Sequence, residues 1–253
     1  MAEHDNWDAH WESYAAAASK NPAQQMRHAL IERLLLRETG VATMQLLDIG
    51  SGQGDLMVKL RSRLPKARLL GFELSERGVE ISRLKVPDAK FVVADLFSPP
   101  AELASYRGWA THAVCSEVLE HVDAPASFLR AARPSLAEGA RMIVTVPGGP
   151  MSAFDRHIGH RQHFTRESIT RVLSEGGFAV EHVYLSGFPF FNLYRGVVIA
   201  RGEKLAEDVD HGVSGFSTTL ADATMALFRG VFRLNLMDFP LGWQVVAVAR
   251  KTG

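Results

Sequence analysis

Residues 44–54 read Met44-Gln-Leu-Leu-Asp48-Ile-Gly50-Ser-Gly52-Gln-Gly54, an apolar run that closes on an acid and then on alternating glycines. The apolar positions between Met44 and Ile49 suit a strand buried on both faces, as in a parallel sheet. Gly50, Gly52 and Gly54 lack a Cβ, so the backbone there can turn tightly and approach a ligand. A dinucleotide loop runs G-x-G-x-x-G and faces a pyrophosphate at a helix N-terminus. Here the spacing is G-x-G-x-G and Asp55 follows. An acid at that place would repel a phosphate but could attract an ammonium or a sulfonium. A plain strand-to-helix turn remains the alternative for the loop taken alone.

Working outward, Arg68-Leu-Leu-Gly-Phe-Glu73 reads as a second strand ending in an acid. A carboxylate at that tip is placed to take both hydroxyls of a ribose. Phe91-Val-Val-Ala-Asp95-Leu96 reads as a third strand, with Asp95 able to accept from an adenine amine and Leu96 able to pack on the ring. Ala113-Val-Cys-Ser116 runs into Glu117-Val-Leu-Glu120-His121, and Met142-Ile-Val-Thr-Val146 closes on Pro147-Gly-Gly-Pro150. Helices are predicted at 54–63, 76–84, 117–133 and 165–175, the last starting at Thr165-x-x-Ser168. Gly176-Gly177 stops that helix, and Phe178–Leu185 follows as strand six. Strand seven is placed at Gly242–Arg250. The polar punctuation thus falls at strand carboxyl ends, where open α/β sheets bind ligands.

Lys plus Arg and Asp plus Glu each number 28, so the formal net charge is zero. A nucleic-acid binder shows a basic excess, so RNA or DNA partners are disfavoured. The single cysteine, Cys115, lies in a predicted buried strand and fits a reducing compartment. The stretch Met1-Ala-Glu-His-Asp-Asn6 is no basic and apolar leader, so a cytoplasmic location is expected. No run reaches the about 18 apolar residues of a spanning helix.

The series LLDIGSGQG, GFE, VVADLF, CSEVLEHV and VTVPGGP resembles the class I S-adenosylmethionine-dependent methyltransferases over about residues 44–185. The resemblance implies a doubly wound, seven-stranded, mostly parallel Rossmann-like α/β sheet. It also implies a cofactor set of Asp48, Gly50, Ser51, Gly52, Gly54, Glu73, Leu74, Asp95, Leu96, Ser116 and Glu117. Three parts are expected: an N-terminal helical lid at 1–40, a cofactor-binding domain at 41–187 and 241–253, and a helical cap inserted at 188–240. In the first, Asn21 is an N-cap before Pro22, with two helices packing on the sheet edge or Trp7, Trp11 and Tyr14 closing over the cofactor. The insert holds Phe188–Tyr194 and Ala221–Leu236 as helical halves around a loop at 207–218. It reads as an acceptor wall, a homodimer interface or a peripheral membrane contact using Arg195, Arg201, Arg229 and Arg233.

Methyl transfer from a sulfonium is a direct displacement, so the protein must align the acceptor and remove a proton where the acceptor is neutral. Glu117, Glu120 and His121 are spaced to share one helical face. A second polar group, Asp155-Arg-His157-Ile-Gly-His160-Arg-Gln-His163, follows strand five. His121, His160, His163 and Glu117 are the catalytic candidates. E-x-x-E-H with a later histidine is similar to the small-RNA 2′-O-methyltransferases and the O-methyltransferases of ubiquinone biosynthesis. That likeness implies Glu117, Glu120, His121 and His160 as ligands of a divalent metal, Mg²⁺, Mn²⁺ or Zn²⁺. Residues 155–251 resemble bacterial methyltransferases of polysaccharide, glycolipid and secondary-metabolite pathways, which favours O-methylation of a small or lipid-linked hydroxyl. C- and N-methylation, and a non-catalytic cofactor-binding subunit, are the rival readings.

Overall fold

A computed structural model describes residues 7, 8, 11, 12, 21–37, 44–210 and 225–253, with 201–210 described for the backbone alone. Seven strands form one sheet in the order β3-β2-β1-β4-β5-β7-β6. They are β1 (Gln45–Ile49), β2 (Arg68–Glu73), β3 (Lys90–Val93), β4 (Ala110–Ser116), β5 (Leu136–Pro147), β6 (Phe178–Ser186) and β7 (Gln244–Lys251). The first five pair in parallel, while β7 runs antiparallel between β5 and β6. Strand order reverses at β1, whose neighbours are β2 and β4, and a crevice at the carboxyl ends follows from that reversal.

The strands alternate between two cores because successive side chains point to opposite faces. Leu47 and Ile49 of β1 join Ala113, Cys115, Met142 and Val144 on one face. Leu46, Val114, Ile143 and Val246 fill the other. Helices α2 (Asp55–Arg63) and α3 (Glu76–Lys85) cover the second face. Helices α4 (Pro125–Ala132) and α6 (Arg166–Glu175) cover the first. Between them in the chain lies the short α5 (Ala153–His157). Thr165 caps α6 by accepting from Ser168 N, and Gly177 at φ +85° ends the segment, as the residue pattern required.

Helix α1 (Pro22–Leu35) starts at the expected N-cap, where the Asn21 side chain accepts from Ala23 N at 2.9 Å. It does not pack on the sheet edge. Ile31, Leu34 and Leu35 are buried against Leu46, Leu56, Met57 and Ile143, which places the helix on the sheet face over its centre. The reason is its wide apolar surface. A second stripe, Ala23 and Met26, packs on Phe191 and Phe232, so α1 lies between the sheet and the 188–240 segment.

Within that segment α7 spans Phe190–Asp210 and residues 225–231 are helical, followed by a 3₁₀ turn at Phe232–Leu234. The loop expected at 207–218 is helical as far as Asp210; 211–218, with Tyr14 and residues 221–224, lies outside the described residues. The predicted helix at 117–133 is corrected. Only a 3₁₀ turn at Leu119–His121 and α4 from Pro125 are formed there, and Glu117 has φ +55°. A left-handed residue cannot continue a helix, and the Glu117 N–H is drawn to Thr145 O at 2.9 Å instead.

Candidate cofactor and acceptor site

Two adjoining cavities open at the carboxyl ends of the parallel strands. The first, about 340 Å³, is lined by Phe72, Glu73, Leu74, Asp95, Leu96 and Val118, among others. The second, about 400 Å³, takes in Asp48, Ser51, Gly52, Ser116, Glu120, Asp155 and His160. Trp7, Trp11, Gly50, Glu117 and His121 line both and form the junction.

The glycine loop explains the wall between β1 and α2. Gly50 and Gly52 hold φ at +74° and +54°. A Cβ at Gly50 would meet Val118 Cγ2 at 2.4 Å, and one at Gly52 would meet the Trp11 ring at 2.7 Å. Gly54 lines neither cavity; its left-handed φ of +78° makes it the N-cap of α2. Glu73 is tied to the loop, accepting from Gly52 N at 2.7 Å and from Ser75 N at 3.0 Å. Burial raises its carboxyl, while those N–H groups oppose the shift. Asp48 is 2% exposed, and burial followed by the Glu73 charge pushes its carboxyl up to about 7. Asp95 faces the first cavity and accepts from Phe97 N at 2.9 Å. The residues fit an adenosyl sulfonium: a cradle that side chains would fill, a carboxylate on one cavity and an acid beside the loop. Ser51 Oγ is also buried without a hydrogen-bond partner.

The N-terminal aromatics are anchored over this cradle. Asp8 accepts from Ser75 Oγ at 2.5 Å and from Arg77 N at 3.1 Å, at the start of α3. Trp7 meets the His121 ring edge-on, with centroids 4.9 Å apart.

At the junction of the two cavities, Glu117 is clamped. Its Oε1 accepts from Thr145 Oγ1 and from Gln244 Nε2, each at 3.0 Å, and Oε2 lies 3.5 Å from Arg27 Nε. The ligand atoms of Glu120, His121 and His160 lie within 4.8 Å of one another, and Glu117 is not in that group. The four-ligand reading therefore loses Glu117, because its oxygens serve other partners. Glu120 is fully buried with neither oxygen hydrogen-bonded; burial and the Glu117 charge push its carboxyl well above the ordinary range.

The three histidines of the 155–163 segment separate. His157 is exposed on α5. His160 meets His121 edge-on, with centroids 4.8 Å apart, and its Nδ1 lies 3.3 Å from His163 Nε2. His163 Nδ1 is 3.1 Å from Gly149 O. A carbonyl only accepts, so Nδ1 of His163 carries the proton and its Nε2 accepts from His160 Nδ1. That leaves the His160 lone pair on Nε2. His163 stands behind His160 and does not line either cavity. Burial, then the His121 charge, lowers His160 to about 3, and burial also lowers His163, so both rings are neutral.

Asp155 and Arg195 were missed as a pair by sequence reasoning. Asp155, 1% exposed, accepts from Arg195 Nη1 and Nη2 at 3.0 and 2.8 Å and from Ser152 N at 2.7 Å. Arg195 was expected on a membrane face; it turns inward because this buried carboxylate needs a counter-charge. The side chain of Arg201 lies outside the described residues. Arg27, Thr145 and Gln244 were missed as well. Only their approach to Glu117 identifies them, and no local motif marks it.

A family profile described as "Methyltransferase domain" matches residues 21–183. The chain is 27% identical over 173 residues to a ubiquinone biosynthesis O-methyltransferase of Acinetobacter baumannii, a match covering 67% of each protein. Among solved structures, the chain resembles one from a complex between the Haloferax volcanii Trm112 methyltransferase activator and a methyltransferase, at TM-score 0.62, 17% identity and full coverage of both chains. It also resembles a geranyl diphosphate C-methyltransferase of Streptomyces coelicolor, at TM-score 0.54 and 16% identity, over 88% of this chain and 76% of that one. Likeness at those identities concerns the fold alone.

Proposed function

The chain belongs to the class I S-adenosylmethionine-dependent methyltransferases, and on that premise we propose that it O-methylates an acidic hydroxyl of a small molecule. The junction supports this reading: Gly50, Glu117 and His121 line the cavity suited to the donor and the cavity left for the acceptor. S-adenosylmethionine, when bound, supplies an electrophilic methyl group. Asp48, the glycine loop and Ser51 would hold its methionine part, Glu73 its ribose, and Leu74, Asp95 and Leu96 its adenine. Ser116 and Glu117 would close the site between the two cavities. Trp7 and Trp11, within a lid at 1–40, would exclude water above it.

His160 would take the acceptor proton at Nε2, with His121 beside it and His163 fixing its tautomer through Nδ1. The burial that lowers His160 to about 3 also makes it a weak base. A phenol or enol therefore suits it better than an aliphatic alcohol. Phe191, Tyr194 and Trp243, from the proposed 188–240 cap and the start of β7, would wall the acceptor. The ubiquinone O-methyltransferase relative supports oxygen as the target. The C-methyltransferase neighbour keeps carbon as the alternative.

One observation favours a divalent metal as a second reading: the unpartnered, buried Glu120 carboxyl beside His121 and His160. Those three side chains would hold the ion, which would lower the pKa of an acceptor hydroxyl. The alternative is that Glu120 stays protonated.

Calorimetric titration with S-adenosylmethionine and S-adenosylhomocysteine, on metal-stripped protein and with Mg²⁺ or Zn²⁺ restored, tests the donor site. Micromolar binding is expected, and no binding in either state removes the reading. Transfer from labelled donor to a panel of phenols, alcohols and amines then tests the acceptor. Elemental analysis of untreated protein decides the metal, with Glu120→Gln expected to abolish any stoichiometric ion.

A further inference from the structure

A third cavity, about 800 Å³, opens on the far side of α1 from the acceptor. Met26 and Leu30 of α1 line it with Phe232 and Met237, so its floor is apolar. Its rim is cationic: Arg33 and Lys59 on one side, Arg229 and Arg233 on the other. Lys59 is paired with Glu32 at 3.1 Å. Among the described residues Arg33, Arg229 and Arg233 have no ion pair, and no acidic side chain lines the groove. The chain as a whole has zero net charge, so this local excess stands apart from its composition.

Exposed leucines neighbour these cations along the chain, outside the groove lining itself. Leu227 and Leu234 flank Arg229 and Arg233 and are 64% and 67% exposed. Leu36, three residues after Arg33, is also exposed. A free phosphate would use the cations and leave these leucines in water. A phospholipid surface uses both, because leucines enter the headgroup boundary while arginines meet lipid phosphates. No helix among the described residues is long and apolar enough to cross a membrane.

We propose that the groove between α1 and residues 226–237 docks the protein onto an anionic phospholipid surface, through Arg33, Arg229 and Arg233. The site lies outside both cavities assigned to catalysis except for His28, which separates it from the acceptor cavity. Docking there would leave the acceptor cavity beside the bilayer, where an amphiphilic acceptor concentrates.

Flotation of the full chain with vesicles of phosphatidylglycerol in phosphatidylcholine, against phosphatidylcholine alone, tests the proposal. Partition onto the anionic vesicles alone is expected, weakening with salt. Arg229→Gln and Arg233→Gln should each lower the partition coefficient about fivefold, and together about 25-fold. Arg107→Gln should leave it unchanged. Donor binding in the same variants, read by calorimetry, should stay at the parent value, which separates this outcome from a failed fold or a failed donor site. Equal partition onto neutral vesicles, no loss in the double variant, or full competition by inorganic phosphate would overturn it. So would light scattering showing a dimer that these substitutions dissociate, with no vesicle binding, since the groove would then seat a second copy.

Discussion

Asp48 ends β1 beside the glycine loop with a carboxyl pushed up to about 7 by burial and then by the charge of Glu73. For an acid held above its unfolded value of 3.8, the folded state keeps its proton more tightly. The corresponding stability is fully present below that unfolded value and is lost as pH rises through about 7. Asp48→Asn is therefore expected to melt progressively higher than the parent as pH rises, with the difference largest above pH 7; thermal melts across pH check this. A cationic ligand reverses the preference by favouring the carboxylate. S-adenosylmethionine affinity is expected to rise between about pH 6 and 8 with release of a proton, read by calorimetry in buffers of different ionisation enthalpy. A pH-independent affinity would take Asp48 away from the donor. His160→Ala is expected to lower turnover about a hundredfold or more while leaving donor affinity intact. Normal turnover in that variant would move the base elsewhere.

Elements hold these residues where they work. The E-x-x-E-H stretch gathers its side chains through one left-handed residue and a 3₁₀ turn, with α4 starting only after Pro125. Glu117 is turned toward Thr145 and Gln244, and Glu120 is sealed inside. Helix α7 is fixed to the short helix α5 by the bidentate Arg195–Asp155 pair. Against the cost of burial, these bonds and those from Ser152 hold Asp155 down to about 2, so the stability it contributes is present above 3.8 and lost as pH falls through about 2. Arg195→Leu strands a buried carboxylate and is expected to cost about 3–5 kcal/mol in denaturant unfolding. Arg195→Leu with Asp155→Asn should recover part of that loss. Equal instability of the single and double variants would mean that the guanidinium acts through packing alone.

At the scale of the whole molecule, a donor that binds only the folded state should raise its melting temperature by mass action. At a hundredfold excess over Kd the gain is about 2.7 kcal/mol, roughly 5–10 °C for a domain of this size. Scanning calorimetry with and without S-adenosylhomocysteine checks it, and an unmoved transition would argue against a donor site. The sheet was legible because each strand carries its own signature: apolar residues that fill two cores by alternation, then an acid or glycine where the chain must turn. Asn21, Thr165 and Gly177 were legible for the same reason, since capping and left-handed turns depend on neighbours a few residues away. The position of α1 on the sheet face, the inward turn of Arg195 and the clamp on Glu117 were not. Nor was the approach of Arg33 to Arg229 and Arg233. Each of these brings together residues far apart in the chain, and burial, charge pairing and groove shape are properties of that assembly. Sequence by itself determined the strands, the glycine turn and the acids at the strand ends, because those are local conformational and hydrophobic demands. Tertiary structure alone decided which acids are clamped, sealed or paired, because solvent exclusion and counter-charge exist only once distant segments meet.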